Sequence, residues 1–169
     1  ALTLCAFFLV FEARRPQARE LVVLAMLSAL AVASRAAFAA IPHFKPMTAI
    51  IMITGIAFGP EAGFLTGAVS GFVSNFLFGQ GPWTPWQMFA YGVGGFLAGL
   101  LSRLGVLKRN RLLLTLFGFF MVLLIVGPLL DTCALFTMTG EITAASARAV
   151  YLSGIPVNLI HGTAAGLTM

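Results

Sequence analysis

The chain of 169 residues is 60% hydrophobic and 9% charged, with a net charge of +5 and a mean hydropathy of +1.01. A water-soluble domain carries roughly 25% charged residues, so this composition excludes one. The basic excess is small and is accounted for below by membrane topology, which leaves no nucleic-acid footprint.

Apolar runs of the length a helix needs to cross a bilayer, about 20 residues, recur along the chain. They lack the two-residue alternation of membrane strands. The expected fold is therefore all-α: a polytopic membrane protein in one transmembrane domain spanning residues 1–169.

Ala1–Phe11 is apolar but lacks the basic start of a signal peptide, and predicts part of an extra N-terminal helix. After the basic linker Ala13–Arg19, a six-helix core is expected over 20–169. Its first span runs from Glu20 to Ile41, and Pro42–Pro46 (PHFKP) is a loop because proline disfavours helix in the residue before it. Met47–Phe78 is about 48 Å long as one helix, too long for one crossing. Gly59-Pro60-Glu61 divides it into Met47–Phe58 and Glu61–Phe78: glycine ends a helix, proline suits a first turn, and glutamate favours the positive end.

The loop FGQGPWTPWQM (78–88) leads into a fourth span, Trp86–Leu104. The fifth, Arg111–Phe136, is expected to bend near Gly127-Pro128. After the loop Thr137–Ile142 comes the sixth, Thr143–Met169, interrupted by Pro156. Alternation of sides puts Arg14, Arg15, Arg19, Arg103, Lys108, Arg109 and Arg111 on one face, and only Arg35, Lys45 and Arg148 toward the other. Basic residues favour the cytoplasm, so residues 13–19 and 103–111 are expected inside and the PHFKP, tryptophan and Thr137–Ile142 loops outside.

Several residues point to binding at that outer face. Trp83 and Trp86 suit an aromatic belt equally well. Gln80, Gln87 and the flanking prolines add hydrogen-bonding capacity and stiffness, which lowers the ordering cost of docking a bulky ligand. Arg35, His43, Lys45, Asn75 and Tyr91 lie near the outer ends of their segments and join the candidate set. Asp131 and Arg148 are charges within or close to the membrane, either an ion pair bracing two helices or ligand contacts. Asn158 and His161 sit deeper and predict interhelical hydrogen bonds. Cys5 and Cys133 are expected as buried thiols. Small residues repeat at helical spacing in Gly63/Gly67/Gly71, Gly55/Gly59 and Gly95/Gly99, which suits close internal packing, and in Ala25/Ala29/Ala33, which suits a partner's helix.

No phosphate-binding loop, HExxH or GxSxG motif occurs in the chain. No enzymatic activity, cofactor or metal is implied, and uphill transport would need energy from another subunit.

The stretches ASRAAFAAIPHFKP (33–46), GIAFGPEAGFLTG (55–67) and SNFLFGQGPWTPWQMFAYGVGGFLAGL (74–100) make residues 20–169 resemble the substrate-binding S component of energy-coupling factor (ECF) vitamin transporters. The last stretch is most similar to cobalamin-type members. The resemblance implies a prokaryotic plasma-membrane protein that captures a vitamin outside and reorients to deliver it. Its implied partners are a T component, docked on Ala25, Ala29 and Ala33, and two ATPases. Alternatives are an S component for riboflavin, pantothenate or a queuosine precursor, a ligand-free membrane scaffold, or an intramembrane enzyme using Asp131 and His161.

Overall fold

The computed structural model describes residues 18–107 and 110–169; the apolar segment Ala1–Phe11 lies outside that range. Among the described residues six helices follow one another: α1 (Ala18–Ala37), α2 (Met47–Phe58), α3 (Pro60–Phe78), α4 (Thr84–Arg103), α5 (Arg111–Met138) and α6 (Ala144–Thr168). No strand occurs among the described residues. Two helices, α1 and α5, are long and apolar enough to cross a membrane.

Many large apolar side chains face outward, among them Met26, Phe76, Leu124 and Leu152, each more than 60% exposed. Water would oppose such a surface, whereas lipid accepts it. Inside, Met47, Ile51, Met52, Tyr91, Val122 and Val126 form the core between α2, α4 and α5.

Glycine sets the closest approaches. A β-carbon at Gly67 would stand 2.5 Å from the Tyr91 carbonyl carbon, and one at Gly99 would stand 2.6 Å from the Pro60 nitrogen. The glycine repeats thus seat the α3 backbone directly on α4, as small residues do where lipid gives no hydrophobic drive for association. The α2–α3 break falls at Gly59, whose φ of 102° belongs to glycine, and Pro60 opens α3. Beside it, Arg103 pairs with Glu61 at 3.3 Å, tying this turn to the end of α4.

Helix ends and interruptions differ from expectation in several places, α5 for one running to Met138 rather than Phe136. Helix α1 stops at Ala37 rather than Ile41, because residues 38–44 wind into successive three-residue turns such as Ile41 N to Phe38 O at 3.0 Å. Helix α5 carries a π turn over Val122–Val126, just before the predicted bend. Pro128 lacks an N–H and its ring would strike the carbonyl four residues back, so a wider turn there gives it room. Pro156 does not interrupt α6, which runs unbroken through it. Within a membrane bundle, neighbouring helices let a proline remain inside a helix. Thr143 starts α6 with a capping box shared with Ser146.

Candidate ligand-binding site

A cavity of about 500 Å³ opens where the Pro42–Pro46 loop, the start of α4, the end of α5 and the middle of α6 meet. His43, Lys45, Trp83, Gln87, Tyr91 and Asp131 line it together with Asn158 and His161. Leu130, Cys133, Ala134, Thr137, Met138 and Val157 supply its apolar area. It lies at the end of the bundle opposite the Arg103–Glu61 pair.

Each polar group is delivered by a local device. His43 has a φ of 61°, a left-handed conformation in which histidine is several-fold enriched, and this turns the loop so that both His43 and Lys45 reach the cavity. Helix α4 begins at Thr84, earlier than expected, because Thr84 N bonds Gly81 O at 2.9 Å and carries the chain into the helix. Gln87 and Tyr91 then follow one turn apart on the same face. The Tyr91 hydroxyl is buried with no hydrogen-bond partner in the described protein, a group that a ligand could satisfy. Asp131 accepts from Asn158 Nδ2 at 2.7 Å, and His161 Nε2 lies 2.8 Å from the Thr48 hydroxyl. That hydroxyl also donates to Lys45 O at 3.1 Å, which joins the cavity's deep end to its rim.

Other candidates stand outside the cavity. Trp86 stacks on Phe136 with centroids 6.0 Å apart and planes at 18°. Gln80 ties the ends of the two flanking helices together, donating to Phe72 O of α3 at 3.1 Å and accepting from Thr84 of α4 at 2.9 Å. Arg35 does not face the cavity: it is buried against Ser74, Asn75 and the Phe78 ring. Asn75, also buried, contacts Gln87 from behind. Arg148 is exposed on α6 and makes no ion pair with Asp131, whose partner is Asn158. The expected ion pair between Asp131 and Arg148 is not formed; Asp131 is held instead by the Asn158 amide, ten residues further along α6.

Sequence reasoning assigned Asn158 and His161 to interhelical hydrogen bonds, and both make them, but it missed that both also line the cavity. Their spacing of three residues on one helix face carried that signal. Leu130, Ala134 and Val157 carried none, since an aliphatic residue in an apolar helix reads alike toward lipid and toward a cavity.

The model of the ECF-type riboflavin transporter S component family matches residues 16–168. The chain belongs to this family. S components are membrane proteins of transporters, not enzymes. Relatives of this S component include a UPF0397 protein of Vibrio atlanticus (strain LGP32), 31% identical over 85 residues, covering 49% of this chain and 46% of that protein. Another UPF0397 protein, from Aliivibrio salmonicida (strain LFI1238), is 31% identical over 88 residues, covering 49% and 46%. The chain spans about half the length of these relatives. No solved structure matches this S component.

Proposed function

We propose that this S component binds a riboflavin-class vitamin in the cavity and delivers it inward together with a T component and two ATPases. The cavity carries the reading. Its volume of about 500 Å³ falls inside the range of about 300–1,000 Å³ typical of small-molecule sites. Its wall combines an indole, a phenol, an amide, a carboxylate and an ammonium group with apolar area. A flat heteroaromatic ring with a polyhydroxylated tail suits that mixture. Cobalamin, the ligand suggested by residues 74–100, has a macrocycle and a nucleotide tail, is far larger than a flavin, and would have to extend out of the mouth of this cavity. A ligand-free scaffold would have no use for a cavity lined by so many polar and aromatic side chains.

Delivery rests on two further observations. Ala25, Ala29 and Ala33 are all exposed along α1, where small side chains would let a T-component helix approach closely. The basic residues of 13–19 and 103–111 favour a cytoplasmic side for those segments, in a multi-pass arrangement.

Purification of the protein in mild detergent, followed by denaturation and mass analysis of what is released, tests the ligand class. A flavin in near-stoichiometric amount is the expected result. Recovery of a corrinoid would replace the proposed ligand, and a molecule-free protein that binds no added vitamin would favour the scaffold.

A further inference from the structure

Arg35 stands outside the cavity, yet its hydrogen bonds lead to the cavity wall. A guanidinium has five N–H donors and no acceptor, so the direction of every bond it makes is set. Nη1 of Arg35 donates to the Ser74 hydroxyl at 2.5 Å and to Asn75 Oδ1 at 3.2 Å. Its Cζ lies 4.5 Å from the centroid of the Phe78 ring, which holds the group in place.

The donor–acceptor assignment then propagates. An amide's two ends are hard to tell apart in isolation, but an obligate donor beside one end decides the orientation. Asn75, 1% exposed, must turn its oxygen to Arg35 and its nitrogen away. That nitrogen donates to Thr84 Oγ1 at 3.1 Å and to Gln87 Oε1 at 2.9 Å. Thr84 in turn gives its single proton to Gln80 Oε1 at 2.9 Å, so the side branch is consistent as well. Gln87 lines the cavity with its oxygen already engaged, and its Nε2 donates to nothing among the described residues.

We propose that Arg35 is a positioning residue of the ligand site: through Asn75 it fixes the Gln87 amide so that the cavity wall presents an N–H. The site therefore selects a ligand that places an acceptor, a carbonyl oxygen or ring nitrogen, against Gln87. This rests on the reading of the cavity as the ligand site. A ligand with a donor at that point leaves two donors facing each other, the kind of mismatch that discriminates most strongly in a buried site.

Asn75→Asp is the informative variant. It is nearly isosteric and gives Arg35 a charged partner, so the fold persists. Its carboxylate cannot donate, so Gln87 must turn over, give its N–H to the carboxylate and show its oxygen to the cavity. With riboflavin as probe, followed by quenching of its fluorescence on the full chain in nanodiscs, Asn75→Asp should raise Kd about tenfold. Arg35→Gln should raise it as well, and Arg35→Lys, which also only donates, should restore most of the affinity. In a Gln87→Ala background, Asn75→Asp should change Kd by less than about twofold, because no amide remains to be oriented. Equal losses in both backgrounds would overturn the proposal.

Absence of riboflavin binding to the wild type would sink the flavin reading instead, and the ligand-free protein then decides. With isotope-labelled glutamine, the Gln87 side-chain protons should exchange quickly with water in the wild type. They should be protected in Asn75→Asp, where they bond the carboxylate. Identical exchange in the two proteins would refute the relay.

Discussion

Trp83 and Trp86 stand three residues apart and serve different partners. Trp83 lines the cavity, with its Nε1 donating to Gly79 O at 3.4 Å, while Trp86 stacks on Phe136 of α5. Truncation of an aromatic anchor in a binding pocket costs about 2–4 kcal/mol, so Trp83→Ala should weaken riboflavin binding by that amount in a calorimetric titration. An aromatic pair contributes about 0.5–1.5 kcal/mol beyond burial, so Trp86→Ala should lower thermal stability and leave Kd within about threefold. Equal effects of the two substitutions on affinity would show that the loop binds as a unit. The sequence could name both indoles but not divide their roles, because the division depends on where Phe136 arrives from a helix fifty residues later. The same holds for Asp131, where a nearby cation was the obvious partner and an amide on α6 is the actual one.

Helices were legible wherever a backbone rule forces an ending. Gly59-Pro60 marks the α2–α3 break because no other residue pair suits that φ and that first turn so well. Proline inside α5 and α6 was less readable. Its cost depends on whether the surrounding turn can widen, as at Val122–Val126, or whether the bundle can tolerate it, as at Pro156. The small-residue repeats separate by environment. The glycines of α3 meet the α4 backbone, whereas Ala25, Ala29 and Ala33 stay exposed. A substitution on the exposed stripe should thus touch assembly alone. Ala29→Phe is expected to leave riboflavin affinity and melting temperature unchanged in the isolated protein, and to abolish co-purification with a T component and uptake by cells. A matching loss of affinity in the isolated subunit would mean that the stripe packs internally after all.

The molecule as a whole gathers its polar, aromatic cavity at one end and a basic, ion-paired turn at the other. That polarity gives a topology that intact cells can report. In a background with Cys5 and Cys133 replaced by serine, Pro82→Cys should react with an impermeant thiol reagent added outside, and Val106→Cys should react only after the membrane is opened. The reverse pattern would place the cavity mouth in the cytoplasm and end the capture model. The family and the all-helical class were within reach of composition and motif, but the cavity's size was not, because a volume depends on how a loop and several helices pack and on no one segment. A flavin is the ligand proposed for this volume. Titration of purified protein with riboflavin and with cyanocobalamin in parallel addresses it directly. Saturable binding of one riboflavin per chain is expected, weakened in Trp83→Ala, with no competition by cyanocobalamin; saturable binding of cyanocobalamin with no response to riboflavin would contradict a flavin site.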